Sequence, residues 1–246
     1  YKRQQQSPYR TIMQLFFAPD INPEDKSFVF DKEESRHIVK VLRKKEGDSI
    51  YITNGKGWLF TSTVTFATEK RCEVALASAT YTEPMPYQLH LAVAPTKMND
   101  RYEWFLEKAV EIGISEITPI ICEHSERTVF KADRFEKIIQ SAMKQSLQYH
   151  MPVLHEPIAF NQFVKQQRAG KLFIAHCEET DKKLLKTELA PKETQTILIG
   201  PEGDFSTKEI ELALGLGYVP ASLGNTRLRT ETAAVVAAHS VAFVNE

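Results

Sequence analysis

Apolar and polar positions change rhythm along this chain, and the change falls near residue 85. Before it, apolar runs are short and divided by turn residues. "DSIYITNGKGWLFTSTVTFA" (48–67) alternates over two β-rich stretches with Asn54-Gly55 between them, which predicts a hairpin. "RCEVALASATY" (71–81) is a further strand, and "KEESRHIVKVLR" (32–43) reads as a short helix. Together they predict a small, mostly β domain over 13–82. "TEPMPY" (82–87), with Pro84 and Pro86, supplies a linker.

From 87 to 246 strands and helices alternate. "QLHLAVA" (88–94) is a strand. Asp100 and Glu103 then have capping-box spacing. Tyr102, Phe105, Leu106, Ala109 and Val110 repeat at i, i+3, i+4, i+7, i+8, so a helix buries that face until Gly113 ends it. "ITPIIC" (117–122) is the next strand. Phe135, Ile138, Ile139, Ala142, Met143 and Leu147 mark a second amphipathic helix that stops before Pro152. "KLFIAHC", "TILIG" and "YVPASLG" are three more short strands. Continuous apolar strands alternating with helices predict an α/β fold with a parallel sheet covered on both faces.

Composition narrows the function classes. With 246 residues, 42% of them apolar, the chain suffices for one large domain or two smaller ones. Its formal net charge of −1 gives no global basic field for nucleic acid. Cys72, Cys122 and Cys177 form no CxxC pair and no Cys/His metal spacing, so they read as reduced cysteines of a cytoplasmic protein. The seven histidines show no HExxH, and no metal is expected. No run reaches the roughly 20 apolar residues of a membrane span. The polar, aperiodic "YKRQQQSPYRTI" (1–12) reads as an expression leader, or alternatively a natural arm.

Two stretches concentrate candidate chemistry. In "ILIGPEGDFSTKE" (197–209) a buried strand runs into Gly200-Pro201-Glu202-Gly203, and Ser206 with Glu209 then forms a capping box. Ligands of open parallel sheets bind beyond the carboxyl ends of strands. The glycines there would let backbone approach a ligand, and Glu202 would offer a carboxylate. The plain alternative is a tight βα loop with no ligand. There is no G-x-G-x-x-G and no P-loop. In "LGNTRLRTETAAVVAAHSVAF" (223–243), Leu223-Gly224 closes a strand and Thr230 reads as the N-cap of a helix rich in small residues. Arg229 and Glu231 lie at its start, either as reactive groups or as a pair that only orders the loop.

At these residues the chain resembles the bacterial 16S ribosomal RNA uridine-N3 methyltransferases of the SPOUT superfamily. The likeness is carried by "LIGPEGDF" (198–205) and "LGNTRLRTETA" (223–233), and by "SRHIVKVLRKKEGDSI" (35–50), "KMNDRYEWFLEKAVEIGISEITPI" (97–120) and "SERT" (125–128), in order. It implies a PUA-like RNA-binding β-barrel over 13–82. It also implies a SPOUT methyltransferase domain over 87–246, with a deep trefoil knot that the last segment threads. The cofactor would be S-adenosylmethionine, the partner the 16S RNA of the small ribosomal subunit, and the protein a homodimer. By position, the cofactor loops hold His176, Cys177 and Glu178; Ile199, Gly200, Pro201, Glu202 and Gly203; and Leu223, Gly224, Leu228 and Thr230. Asp204 stands where the family usually has Gly, and Thr226-Arg227 where it often has Arg-Ile. Lys144-Gln145, Gln148 and His150 stand where a Glu-Gln and two arginines are usual, which removes cations from a surface able to touch RNA or the partner subunit.

Methylation at uridine N3 requires loss of an imide proton and in-line attack on a sulfonium methyl. Positioning supplies much of such a rate, aided by a base or a cation. Arg229 and Arg127 are the candidate cations. Glu231 is a candidate base or an orienter of Arg229, with the dipole-favoured helix-start carboxylate as the structural alternative. N3 lies on the Watson–Crick edge, so the target must be unpaired or flipped. Arg36, His37, Lys40, Arg43, Lys45 and Lys97 are the RNA-binding candidates; the 36–45 cluster reads alternatively as a solvated helix face. Two rival functions stay open: a related methyltransferase with another acceptor such as a ribose 2′-hydroxyl, and a non-catalytic RNA-binding assembly factor.

Overall fold

The computed structural model describes residues 13–128, 130–178 and 181–246; the leader expected over 1–12 lies outside them. The chain divides into two compact units, one running to Glu83 and including Leu147–His150, the other built from Pro84–Ser146 and Met151–Glu246.

The first unit contains β1 (Leu15–Phe17), β2 (Ser27–Val29), α1 (Lys32–Arg36), β3 (Ser49–Thr53), β4 (Trp58–Thr68) and β5 (Arg71–Tyr81), with the strands in the order β1-β3-β4-β5-β2. β1 is parallel to β3, and the other pairs are antiparallel. Alternation buries Ile50, Ile52, Phe60, Val64 and Val74 with Ile38 in one apolar cluster. Two register shifts between β4 and β5, at Thr61/Ser62 and Val64/Phe66, interrupt the long hairpin. The connection between β3 and β4 spans Asn54–Gly57 rather than a tight Asn-Gly turn. The Asn54 amide is buried, donating to the Ile21 carbonyl and accepting from Lys56 N–H.

The helix expected over 32–43 holds an α-helical period for one turn only. Asp31 caps it by accepting the Glu34 N–H at 2.8 Å, and His37–Val41 continues it as a π-helical turn. Leu147–His150 belongs to this unit because the Tyr149 carbonyl accepts from Gly57 N–H at 2.9 Å and from the Thr53 hydroxyl at 3.3 Å. The His150 ring meets the Thr82 carbonyl at 2.7 Å.

The second unit contains β6 (Gln88–Val93), α2 (Asn99–Ile112), β7 (Glu116–Ile121), α3 (Ala132–Gln145), β8 (Val153–Leu154), β9 (Ile158–Ala159) and α4 (Phe160–Phe163). It continues with β10 (Lys171–Ala175), β11 (Lys183–Leu184), α5 (Leu185–Glu188), β12 (Thr194–Ile199), α6 (Thr207–Gly215), β13 (Val219–Ser222) and α7 (Thr230–Phe243). The sheet order is β11-β13-β10-β12-β6-β7-β8, with β9 on β7, and every pair is parallel. The central strands β6 and β12 are buried beyond their first residue, as continuous apolar runs require. Phe160, Phe163, Phe205 and Tyr218 pack with Ala92, Ile174 and Leu198. Tyr102 meets Phe105 and Phe135 where α2 packs on α3. The buried alanines 234, 237, 238 and 242 let α7 lie close against α2, β6 and β12.

Two helix starts differ from expectation. α2 begins after Met98, which has no side chain able to cap, so Asp100 lies inside the first turn and the Glu103 carboxylate pairs with Arg134 at 2.6 and 2.8 Å. α7 is preceded by Arg229, which provides no side-chain cap, while Thr230 is its first helical residue. The box at Ser206/Glu209 forms as read. Among the described residues no helix is long and apolar enough to cross a membrane.

Candidate functional site

β10, β12 and β13 end side by side, and the loops leaving them, with α2, border adjoining open cavities. The first, about 260 Å³, is walled by Ala175, Cys177, Ile199–Glu202, Asp204 and Arg227–Thr230. The second, about 450 Å³, lies between His176–Cys177, Lys182 and the 221–228 loop. The third, about 660 Å³, is bounded by Asp100, Arg101, Trp104, Arg227–Arg229, Glu231 and Thr232. All three share Arg227 and Leu228.

The Gly200-Pro201-Glu202-Gly203 turn is fastened to every loop around it. The Thr230 hydroxyl, read as a cap, instead donates to the Gly200 carbonyl at 3.0 Å. The Glu202 carboxylate accepts the Lys97 N–H at 2.9 Å, so its charge orders the β6–α2 loop. His124 Nδ1 lies 3.1 Å from the carbonyls of both Gly203 and Asp204; carbonyls only accept, so that nitrogen carries the proton. Asp204 sits at φ 64°, where a side chain is unusual, and its carboxylate accepts from Cys177 N–H at 2.7 Å and from Phe205 N–H at 2.8 Å.

The glycines also have close neighbours within the unit. A Cβ on Gly200 would stand 3.1 Å from the Phe205 ring, and one on Gly203 would stand 3.1 Å from His124 Cβ. Side chains of the same unit therefore crowd both glycines, independently of any ligand.

Most of the proposed cofactor residues therefore gather on the cavity walls. Gly203 and Glu178 do not. Gly203 faces His124, and Glu178 accepts from the Thr207 hydroxyl at 2.7 Å. His176 is 6% exposed, and neither ring nitrogen has a partner among the described residues. Burial, then Lys182, lowers its pKa, which favours a neutral ring. Neutral imidazole offers one donor and one acceptor, so a polar ligand in the second cavity would satisfy a group that is otherwise costly to bury.

The alternative of an Arg229–Glu231 pair is not what forms: Glu231 lies nearest Arg101. Glu231 is 7% exposed and its Oε1 lies 3.9 Å from Arg101 Nε, while Oε2 has no partner among the described residues. Arg229 is exposed at the mouth shared by the first and third cavities. Arg127 is absent from the walls of all three; it donates to the Lys97 carbonyl at 3.2 Å. Lys97 Nζ pairs with Glu126 at 2.7 Å, a contact that raises its pKa. Asp204, Arg101, Trp104 and Lys182 escaped sequence reading as site residues. Trp104 carried a signal as an aromatic off the buried stripe of α2, and Asp204 as the residue that follows the Gly-Pro-Glu-Gly turn.

In the first unit, Arg43, Lys44 and Lys45 rim an open depression of about 570 Å³ that also holds Glu46. The cluster is less purely basic than its sequence. Lys40 lies 3.6 Å from Glu69, His37 lies 3.2 Å from Glu34, and the Lys45 N–H donates to Asp48. Arg36 and Arg43 are exposed.

Away from these cavities, His90, Glu116 and His155 place ligand-type atoms within 4.8 Å of one another, a cluster that no local spacing announces. Arg168 donates to His90 Nδ1 at 2.8 Å, so that lone pair is already occupied and Nε2–H points to the Thr118 hydroxyl at 2.7 Å.

Comparison with known proteins agrees with this layout. The RNA methyltransferase domain family matches residues 83–242, and the RNA methyltransferase PUA domain family matches 30–77. The "Ribosomal RNA small subunit methyltransferase E" of Buchnera aphidicola (subsp. Acyrthosiphon pisum) is 32% identical, over 93% of this chain and 92% of its own. A crystal structure of a probable rRNA methyltransferase from Porphyromonas gingivalis superposes with a TM-score of 0.88 at 39% identity, covering 95% of this chain and 98% of that one. The Neisseria gonorrhoeae ribosomal RNA small subunit methyltransferase E, solved bound to S-adenosyl methionine, gives 0.81 at 25% identity with the same coverage. The chain belongs to the ribosomal RNA small subunit methyltransferase E family, with an RNA methyltransferase domain and a PUA domain.

Proposed function

We propose that this protein is an S-adenosylmethionine-dependent methyltransferase that modifies N3 of a uridine in the 16S RNA of the small ribosomal subunit. The observation that carries the reading is the cavity at the carboxyl ends of β10, β12 and β13, which is where a ligand of a parallel sheet belongs. The naming of the Buchnera relative and the ligand of the Neisseria structure point the same way.

The residues fit the cofactor. Backbone of Ile199–Glu202 and of the 223–228 loop, with Cys177 and Thr230, would hold it, and the unpartnered His176 ring would meet a polar group of it. When bound, S-adenosylmethionine supplies an electrophilic methyl carried on sulfur. The chain's own part is to orient the uridine and manage its imide proton. Arg229 would stabilise negative charge spreading onto the uracil carbonyls. The unpaired Oε2 of Glu231 would accept the N3 proton. Arg127, bound to the loop that Glu202 orders, acts through that loop.

The family architecture belongs to the same reading: a PUA-like barrel, a trefoil knot threaded by the last segment, a homodimer, and work in the cytoplasm. The small, buried residues of α7 and the Thr230 bond to Gly200 support the threading. Incubation with methyl-labelled cofactor and small-subunit RNA, followed by nuclease digestion and mass spectrometry, tests the activity. The expected product is N3-methyluridine. A 2′-O-methyl nucleoside would move the acceptor to the ribose, and absence of transfer would favour an assembly factor.

A further inference from the structure

We propose that the cavity beside Trp104 is the seat of the flipped target base, with Trp104 as its stacking face and Glu231 as the group that selects uracil. The proposal rests on the methyltransferase reading above.

The sequence of α2 buries Tyr102, Phe105, Leu106, Ala109 and Val110, and it leaves Trp104 out of that stripe with 44% of its surface exposed. An indole at the edge of an open cavity, beside Arg101, is the kind of surface on which an unstacked base lies flat. The cavity, about 660 Å³, shares Arg227, Leu228 and Arg229 with the proposed cofactor cavity, so a base seated here lies next to the methyl donor.

Glu231 gives the second, independent observation. More than nine-tenths buried, it meets Arg101 only at 3.9 Å, and its Oε2 has no donor among the described residues. A buried carboxylate oxygen without a partner is costly until a ligand brings one. The Watson–Crick edge of uracil brings a single N3–H donor between two carbonyl acceptors. That pattern complements a carboxylate accompanied by the guanidinium groups of Arg101 and Arg229. Cytosine and adenine present a bare ring nitrogen at the corresponding place, which a carboxylate repels. Guanine has an N–H there, but a carbonyl on one side only.

Trp104→Ala, Trp104→Phe and Trp58→Phe test this. S-adenosylhomocysteine affinity in Trp104→Ala should stay within about twofold of wild type. Its KM for small-subunit RNA should rise by about tenfold or more, the loss of one stacked base, and Trp104→Phe should recover most of that. In Trp58→Phe, Trp104 is the remaining tryptophan. Its emission should be quenched by an oligouridylate in the presence of S-adenosylhomocysteine, and not by an abasic oligomer of equal length. Unchanged KM and kcat in Trp104→Ala, or equal quenching by both oligomers, would overturn the proposal. So would a Trp104→Ala protein whose only defect is dissociation of a dimer, since the face would then belong to a second copy. A folded wild type that binds no S-adenosylhomocysteine would remove the underlying reading, and this inference with it.

Discussion

Asp204 shows how much a single side chain can organise. It occupies a left-handed backbone position at φ 64°, and its carboxylate ties the 176–178 loop to the Gly200–Gly203 turn through Cys177 N–H. Asp204→Gly should relieve backbone strain yet release that loop. A bond to a charged acceptor is worth about 1.5–3 kcal/mol, so calorimetry should show S-adenosylhomocysteine binding weakened roughly tenfold with little change in melting temperature. Asp204→Asn keeps an acceptor and should stay close to wild type. Equal affinity in Asp204→Gly would show that the fastening is idle. The turn itself was legible in the sequence, because Gly-Pro-Glu-Gly after a buried strand has few other uses. Its internal logic was not. Gly203 answers to His124, Glu202 to Lys97 and Gly200 to Thr230, and such distant partners leave no local trace.

Among elements, continuous apolar runs marked β6, β7, β10, β12 and β13, and Ser206/Glu209 marked α6, since period and caps are local properties. The start of α2 misled because the same spacing of Asp100 and Glu103 serves equally for a carboxylate that reaches Arg134 on α3. The two-residue strands escaped for want of a period. So did the pairing of β6 with β7 that brings His90 to Thr118 and Glu116. Burial first, then Arg168 and His155, lowers the His90 pKa to about 3. An unfolded histidine titrates near 6.5, so between these values the unfolded chain binds the extra proton. His90 thus contributes stability that is fully present above pH ~6.5 and lost as pH falls toward 3. His90→Gln should flatten unfolding free energy against pH between 6 and 4.5 by up to about 1.4 kcal/mol per pH unit. Urea titrations at several pH values would check it; parallel profiles for both proteins would refute it.

At the scale of the whole molecule, each unit carries its own candidate surface. In the first, exposed Arg36, Arg43 and Lys45 give phosphate contacts a place although net charge is near zero. Neutralising all three should weaken RNA binding and reduce the slope of log K against log salt by about 2, at roughly 0.7–0.9 per phosphate. An unchanged slope would assign them to a solvated face. In the second, the reading depends on the cavity beyond β10, β12 and β13. The most direct measurement is a calorimetric titration of the full chain with S-adenosylhomocysteine, with ATP and NAD as controls. Leu228→Trp is the matching variant, since Leu228 lines all three cavities whereas Gly203 faces His124. Selective binding that Leu228→Trp abolishes is the expected result. Binding that survives Leu228→Trp, or no preference over ATP and NAD, would contradict the placement of the cofactor at this sheet edge.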